Sequence, residues 1–450
     1  MTSPLTIDQF ARQVRAGRVS SVEVTDECLR CIEAHDSRLN AFILVMADEA
    51  RQQALQADRE LASGADRGPL HGVPMSIKDL FDISGTPTTA ASHVRQGHVA
   101  RRDAAAIAHL RAAGAVLLGK TNLHEFAFGT TNEESAFGPS LNPHDPTRSP
   151  GGSSGGSAVS LVAGMALATL GTDTGGSIRI PASACGTVGL KPTFGELSTE
   201  GVVPLSRTLD HVGPLTATVT DAWHVYHALH GGNRPRPLAP HATNDLRLAI
   251  LRPYFCDLLD DDVRAGFEGA LAELRAAGAT VGEVAIRRAN LIPATYLQIV
   301  FGDAAAYHAA SLDTVPERYT PSVRLRLEMA RYVLAEDYVR AIEAREWFRR
   351  EVDVALSGND ALVLPTLPIP APTLGAATVR IGAGDEPVRN VMLRLTQLFN
   401  LTGHPAISLP CGKTPAGLPY GLQLVGTRMQ TENLLSVAKT VETILANLFI

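Results

Sequence analysis

The sequence predicts an α/β fold in which both halves of the chain contribute strands to one continuous sheet. From about Val73 onward, short apolar runs alternate with helical segments: VPMSI, then DAAAIAHLRAAG, then AVLLG. This alternation is typical of strands that are joined through helices. Strand candidates recur near the carboxyl end, in ALVLPTLP, PAISLP and YGLQLVG. With 450 residues, 45% of them hydrophobic, the chain can bury a large core without metals or disulfides.

The remaining segments are predicted to be helical. Residues 1–66 form a helical preface, where apolar residues three and four apart predict two or three helices that end at Gly17 and Gly64. Residues 225–360 form a variable, mostly helical region with one strand candidate near RLAIL, and we expect it to shape the substrate site. A last helix is predicted from Glu432. Because strand candidates occur at both ends, we interpret residues 1–450 as a single domain.

Charge and cysteine usage argue against several classes of function. The net charge of -6 leaves no basic excess for phosphates, so we expect no nucleic-acid ligand. The sequence has neither an eighteen-residue apolar run nor a signal-peptide core, so we expect no membrane association. Cys28 and Cys31 form a CxxC inside an amphipathic helical stretch, which we interpret as helix residues because no second pair completes a metal or redox site. An odd number of cysteines fits a reduced cytoplasmic protein.

Two stretches rich in glycine and serine are candidates for the chemistry. The first, Gly151 to Gly155, matches G-x-S-x-G, the nucleophile elbow of α/β-hydrolases, with Ser153 as the candidate nucleophile. An elbow needs a strand directly before the serine, whereas the preceding SLNPHDPTRSP contains prolines and predicts a loop. A phosphate-binding P-loop is disfavoured because Ser157 follows Gly156 where that motif requires lysine.

The second stretch, GTDTGGSIR, follows the apolar run ALATL and precedes a helix predicted at IRIPASAC. This arrangement places Ser177 near a helix amino terminus, where several backbone N–H groups are free. The N–H groups of Thr174, Gly175, Gly176 and Ser177 could stabilise the negative oxygen of a tetrahedral intermediate, at about 3 to 4 kcal/mol per donor. A capped helix with a serine in its first turn is the alternative interpretation.

A serine nucleophile needs a group that accepts its proton. Lys78, in GVPMSIKDLFD, lies at the end of an apolar strand candidate, where a surface lysine is less expected. Burial would lower its pKa from about 10.4 and leave it partly neutral and basic. Taken alone, a lysine after a strand is more often structural or exposed.

Together these motifs resemble the amidase signature family. The resemblance spans about residues 5–445, loosely over 225–360, and is carried by GVPMSIKDLFD, GKTNLHEFAFG, NPHDPTRSPGGSSGGSAV, GTDTGGSIRIPASACGTVGLKPT, NLTGHPAISLP and GLQLVG. It implies a mixed, twisted central sheet sandwiched by helices. It also implies that Ser177 is the nucleophile, that Ser153 follows a cis peptide bond and relays the proton, and that Lys78 is the base.

Other residues receive site-shaping or structural roles. We expect Ser154 to orient its neighbours, and Asp173 and Arg179 to pair and hold the nucleophile loop in shape. His124, in TNLHEF, lacks the spacing of HExxH, so we interpret it as structural and expect no metal site. The stretch 290–310, which contains Tyr296, Phe301 and Tyr307, is largely apolar and suits an aliphatic or aromatic acyl group. Each of these aromatic residues could equally belong to the core.

The reaction implied by the resemblance is hydrolysis of a small carboxylic amide to an acid and ammonia or an amine, through an acyl-enzyme and without a cofactor. The expected partner is the amide itself, and the sequence leaves room for a homodimer. One alternative is the glutaminase subunit of a tRNA-dependent amidotransferase, whose core motifs look nearly identical. The RRIMLG-like stretch expected to grip the glutamine carboxylate is not found around RLRLEMARYVL. A catalytically inactive binding module is disfavoured because all three chemical groups are present.

Overall fold

The computed structural model describes residues 5–448 and contains a large sheet flanked by helices. The strands are β1 (Phe42–Val45), β2 (Pro74–Lys78), β3 (Val116–Thr121), β4 (Ala168–Asp173), β5 (Val188–Lys191), β6 (His211–Thr216), β7 (Arg247–Leu251), β8 (Thr280–Val284), β9 (Ala361–Pro365), β10 (Thr378–Ile381), β11 (Gly384–Pro387), β12 (Ala406–Lys413) and β13 (Pro419–Val425). The helices are α1 (Ile7–Arg15), α2 (Ser21–Leu39), α3 (Ala47–Ala62), α4 (Ala105–Ala112), α5 (Gly155–Val162), α6 (Arg179–Cys185), α7 (Val219–Leu229), α8 (Asp261–Ala276), α9 (Ile292–Thr314), α10 (Pro321–Ala330), α11 (Ala335–Leu356), α12 (Val388–Leu393), α13 (Gln397–Thr402) and α14 (Thr431–Leu445).

Eleven strands form one mixed sheet in the order β1-β3-β2-β4-β6-β5-β12-β13-β9-β7-β8. Strands β2, β3 and β4 are mutually parallel neighbours, as are β7, β8 and β9, whereas the strands between these groups pair antiparallel. The central strands are buried along their whole length, as expected where helices cover both faces. The prediction of one continuous sheet built from both halves of the chain is confirmed.

Several short strands were missed by the sequence prediction, for identifiable reasons. Strand β1 lies inside the preface that was interpreted as purely helical, and three of its four residues pair antiparallel with β3 across a bulge. Strand β6 contains Gly213 and Pro214, which normally interrupt strands. Strand β8 is an exposed sheet edge without an apolar face. The other unpredicted strands are β5 and the separate hairpin β10-β11.

The helical predictions agree more closely with the structure. Helices α1, α2 and α3 occupy the preface, and Gly17 and Gly64 follow α1 and α3 in the left-handed conformation. Thr6 and Ser20 close capping boxes on α1 and α2, so local sequence determines where these helices begin. Among residues 5–448, none of the helices combines the length and apolar character that crossing a bilayer demands.

The sheet topology brings two chemically important strand ends together. Strands β2 and β4 are parallel neighbours, with Ile77 opposite Leu170, so their carboxyl ends, at Lys78 and Asp173, lie at the same edge. Helices α5 and α6 begin near that edge and contact each other. This edge is therefore where a site can be assembled from all four elements.

Gly119 provides a test of the β1-β3 pairing. A Cβ atom at position 119 would lie 2.1 Å from the carbonyl oxygen of Leu44, and the backbone φ there is +156°. We predict that Gly119→Ala lowers the free energy of unfolding by about 2 kcal/mol or more, because two backbones must separate. The matched control is Gly282→Ala in β8, where the added methyl group meets nothing within 4 Å. Equal urea unfolding midpoints for the two variants would contradict the close β1-β3 approach.

Candidate active site

Lys78 is completely buried at the end of β2, surrounded by hydroxyl groups. Its Nζ lies 2.9 Å from Ser153 Oγ, 2.8 Å from Ser154 Oγ and 2.8 Å from Thr172 Oγ1. Ser154 Oγ also donates to the carbonyl oxygen of Thr172, at 3.2 Å. The ammonium group thus has three polar neighbours, none of which carries a compensating charge.

Burial lowers the pKa of Lys78 from its ordinary value of 10.5 to about 7. The carboxylates of Asp173 and Asp210 oppose this shift but do not cancel it. A lysine with its pKa lowered in this way can lose its proton near neutral pH. An amine of this kind has two N–H groups and one lone pair, so it can donate to two hydroxyls and accept a proton from the third.

Ser153 and Ser154 lie in the loop that leads into α5. The Gly152–Ser153 peptide bond is cis, and the carbonyl oxygen of Ser153 accepts a hydrogen bond from the N–H of His124, at 3.1 Å. The N–H of Ser154 donates to the carbonyl oxygen of Ser177, at 3.3 Å. Ser154 therefore links the loop of Ser177 to the lysine through its backbone and its side chain.

Ser177 lies in the turn between β4 and α6, two residues before the helix begins. Within the part of the chain that the structure describes, no protein acceptor is hydrogen-bonded to the N–H groups of Gly175, Gly176 or Ser177. A Cβ atom at Gly175 would come within 2.3 Å of the Tyr296 hydroxyl, and one at Gly176 within 2.3 Å of Thr396 Oγ1. Glycine is required at both positions, and the turn has free donors for an anionic oxygen.

Asp173 and Arg179 form a fully buried ion pair beneath this turn, with their closest oxygen and nitrogen 2.9 Å apart. Asp173 Oδ2 also accepts a hydrogen bond from the N–H of Ile178, at 3.1 Å. Burial alone would raise the pKa of Asp173, but the charge and hydrogen bonds of Arg179 hold it well below its ordinary value. Arg179 additionally donates to Asn400 Oδ1 and Gln423 Oε1, both at 2.6 Å, so the turn is anchored to the carboxyl-terminal part of the sheet.

Asp210 also supports the turn, although no sequence motif pointed to it. It accepts a hydrogen bond from Thr174 Oγ1 at 2.6 Å, and its other partners are the backbone N–H groups of Leu205 and Ser206. Burial raises the pKa of Asp210 to about 6. The residue lies far from the glycine-rich turn in sequence, and only the β4-β6 pairing brings it close.

The chain is similar to known proteins along most of its length. A family model described as Amidase matches residues 23–435. The chain belongs to the Amidase family. An amidase from Pseudomonas putida is 40% identical over 92% of this chain and 90% of that protein. A glutamyl-tRNA(Gln) amidotransferase subunit from Synechococcus sp. (strain CC9605) is 36% identical over 97% of this chain and 96% of that protein.

Solved structures support the same family. A crystal structure of an amidase matches with a TM-score of 0.93 and 38% identity, covering 98% of this chain and all of that one. The peptide amidase of Stenotrophomonas maltophilia matches with a TM-score of 0.83 and 29% identity, over 98% of this chain and 97% of that one. The family resemblance and the mixed α/β fold expected from the sequence are therefore confirmed. The assignment of the chain as an enzyme that hydrolyses amide carbon–nitrogen bonds is also confirmed.

A narrow inner cavity of this amidase borders Ser177. A second, outer cavity of about 330 Å³ shares lining residues with it and has a size suited to a small molecule. Tyr296, Arg389 and Leu393 line both cavities. Of the aromatic residues singled out from the sequence, only Tyr296 lines them; Phe301 packs against Phe128 and Tyr307 lines a different cavity.

Arg389 and Leu393 were not singled out from the sequence; they come from α12 and lie outside residues 225–360. His124 is buried, and its pKa is held well below its ordinary value, first by burial and then by the charges of Arg326, Arg389 and Lys78. No group of three or more potential metal ligands occurs within residues 5–448. Cys28 and Cys31 are unpaired residues of α2.

The Asp173–Arg179 pair provides a test of how the turn is held. We predict that Arg179→Met lowers the free energy of unfolding by about 3 to 5 kcal/mol, because it leaves Asp173 buried without its counter-charge. The control is Arg380→Met, which removes the exposed ion pair with Asp385 and should change stability by less than about 1 kcal/mol. Equilibrium urea unfolding measures both variants. If Arg179→Met were as stable as this control, the pair would not anchor the turn.

Proposed function

We propose that this amidase hydrolyses small carboxylic amides with Ser177 as nucleophile, Ser153 as proton relay and Lys78 as base. The observation that carries the proposal is the buried Lys78 amine, bonded to Ser153 and with a pKa lowered to about 7. A base whose pKa lies near the working pH is unprotonated often enough to act, and it is still basic enough to accept a proton. The same hydroxyl cluster connects the lysine to the turn that carries Ser177.

The hydrogen bonds around the lysine support the direction of the relay. Ser154 Oγ uses its own proton for the carbonyl of Thr172, so it accepts from Lys78 Nζ. If Thr172 Oγ1 accepts the second amine proton, the lone pair of Lys78 faces the hydroxyl proton of Ser153. Ser153 can then receive the proton of Ser177 as it gives its own to Lys78.

The proposed reaction proceeds in two halves. Ser177 Oγ attacks the amide carbonyl while its proton passes through Ser153 to Lys78, and the N–H groups of residues 174–177 bind the oxyanion. The carbon–nitrogen bond breaks when the relay returns that proton to the leaving nitrogen, which departs as ammonia or an amine. A water molecule then attacks the acyl-enzyme and loses its proton to the same relay, which releases the acid and restores Ser177.

Cavity access supports Ser177 over Ser153 as the nucleophile. Ser177 lines the inner cavity, whereas Ser153 is completely buried and is not among the residues that line it. A nucleophile elbow also requires a strand directly before its serine, and Ser153 follows a loop. The elbow interpretation of G-x-S-x-G is therefore the weaker one.

The inner cavity supports a stand-alone amidase over a glutaminase subunit. Glutamine carries an ammonium group that needs an acidic partner in a closed site. Among the described residues, those lining the inner cavity include no aspartate or glutamate, Glu386 lines only the outer cavity, and Arg389 would repel an ammonium group. Tyr296 contributes to this cavity from residues 225–360, which we propose act as a substrate-shaping region of a single 1–450 domain.

The proposal requires neither metal nor organic cofactor, and no nucleic acid. All five cysteines of the chain are unpaired in the structure, which fits the reducing cytoplasm that we propose as its location. A homodimer would be compatible with this function, since the proposed triad comes from one chain.

Kinetics of single variants test the triad. We predict that Ser177→Ala lowers kcat for a simple amide such as butyramide by at least about 10⁴-fold, and that Ser153→Ala and Lys78→Ala each lower it about 10³-fold or more. Combining Ser177→Ala with Lys78→Ala should add little, because the residues act as one unit. The matched control is Ser160→Ala, a buried serine of α5 bonded to Ser76, which should keep the rate within about threefold. Ammonia release by the purified chain is the measurement.

Two outcomes would revise the proposal. An active Ser177→Ala enzyme beside an inactive Ser153→Ala enzyme would restore Ser153 as the nucleophile. Efficient glutamine hydrolysis that appears only with added partner subunits and charged tRNA would establish the amidotransferase alternative.

A further inference from the structure

Arg389 projects from the first turn of α12 into the substrate cavities, lining both the inner one beside Ser177 and the outer one. Its Nε is buried and has no hydrogen-bond partner. Among residues 5–448, no carboxylate lies within ion-pairing distance of its guanidinium, although Glu386 lines the outer cavity. A cation at the wall of a substrate cavity thus has no protein counter-charge.

The neighbouring arginines Arg326 and Arg394 each donate hydrogen bonds to the protein, whereas Arg389 donates none to the described residues. Arg326 lies over the same Phe128 ring, each guanidinium carbon being 5.8 Å from the ring centre, but it is 3.8 Å from Glu134 and donates to Ser322 Oγ and the carbonyl of Phe128. Arg394, in the outer cavity, stacks on the ring of Tyr254 and donates to its carbonyl oxygen at 2.9 Å. The Nε of Arg394 is also without a hydrogen-bond partner, and no carboxylate of the described residues forms an ion pair with it, but Arg394 lines only the outer cavity. Arg389 is the one of these three that lines the cavity beside Ser177 and donates to no protein acceptor among residues 5–448.

Arg389 is half-buried, and its buried Nε lacks both a hydrogen-bond partner and a counter-charge, which a bound anion would supply. Partial removal from water also lowers the pKa of Arg389, because it disfavours the charged form of the side chain. A planar carboxylate matches the donor fork of arginine with two parallel hydrogen bonds. Tyr296 lines the same cavity, and burial raises its pKa, so its hydroxyl keeps its proton and is available as a further donor.

We propose that Arg389 binds a carboxylate at the far end of the acyl group, so that the substrates are monoamides of short dicarboxylic acids. The proposal rests on the proposed function, because it places the reacting carbonyl at Ser177. The acyl chain must be short, because Ser177 and Arg389 line the same narrow cavity. The product is then a dicarboxylate, of which one carboxylate was present before reaction and the other is formed at Ser177.

The test compares substrates that differ in the terminal carboxylate. We predict that kcat/KM for the best of malonamate, succinamate and glutaramate exceeds that of its uncharged counterpart, propionamide, butyramide or valeramide, by at least about 30-fold, mainly through KM. Arg389→Gln should reduce this ratio by about 10- to 100-fold, the range expected for a lost hydrogen-bonded charge contact. Arg389→Lys should recover part of it. Arg326→Gln, the matched control on the same aromatic ring, should keep the ratio within about threefold.

Binding to an inactive enzyme gives a readout that does not depend on turnover. Calorimetry of succinamate with the Ser177→Ala variant should show an affinity that falls at least tenfold when Arg389→Gln is added, with thermal unfolding used to check that both variants fold. If uncharged amides are the better substrates, or if Arg389→Gln leaves the ratio and the affinity unchanged, the carboxylate site is refuted while amide hydrolysis at Ser177 stands. If no amide is hydrolysed with dependence on Ser177, the proposed function fails. In that case the calorimetric comparison still tests whether Arg389 binds a carboxylate, because it does not depend on turnover.

Discussion

The site depends on one buried amine that has hydroxyl groups around it instead of a carboxylate. Lys78 reaches the end of β2 inside the core, and its three close polar neighbours are Ser153, Ser154 and Thr172. Hydroxyls satisfy the hydrogen bonds of the amine without stabilising its charge as a carboxylate would. The lysine is therefore held where it can exchange a proton near neutral pH. The two serines precede α5, and the threonine lies on β4, so three segments must meet correctly for this environment to exist.

Neighbouring charges are arranged so that they do not undo this effect. Asp173 is near enough to favour the charged form of Lys78, but its carboxylate is bound to Arg179 by an ion pair and hydrogen bonds. The same ion pair fixes the start of α6 and thereby the turn that carries Ser177. One buried pair thus contributes both to the geometry of the proposed nucleophile, Ser177, and to the basicity of the lysine. In the inner cavity beside Ser177, Arg389 is a cation without a carboxylate partner among the described residues.

The sequence predicted the parts of the site that lie in contiguous motifs, and it predicted less where distant segments meet. Lys78, Ser153 and Ser177 could be singled out because a strand-like run and two glycine-rich stretches surround them. Asp210 and Arg389 could not, since each is a single polar residue brought in by long-range pairing of β6 or by α12. The sheet was predicted from buried apolar runs, whereas β1, β6 and β8 were missed because they are short, interrupted by glycine and proline, or exposed. Tyr296 lines the inner cavity, whereas Tyr307 lines a different one. The sequence could not distinguish these two residues, because apolar spacing in α9 does not show which face of the helix borders the cavity beside Ser177.

The central claim, that Lys78 is a neutral base, is tested most directly by titrating that side chain. The lysines of the chain are Lys78, Lys120, Lys191, Lys413 and Lys439, few enough for carbon-13 NMR of lysine-labelled enzyme, with the Lys78→Gln variant identifying the signal. Because the protonated form cannot accept a proton, kcat/KM for an amide should rise with pH through the value at which Lys78 titrates. We expect both the titration of Lys78 and the rise in kcat/KM to occur near pH 7. A Lys78 signal that titrates near its ordinary value, or a rate that is flat from about pH 5 to 9 with chemistry rate-limiting, would contradict it.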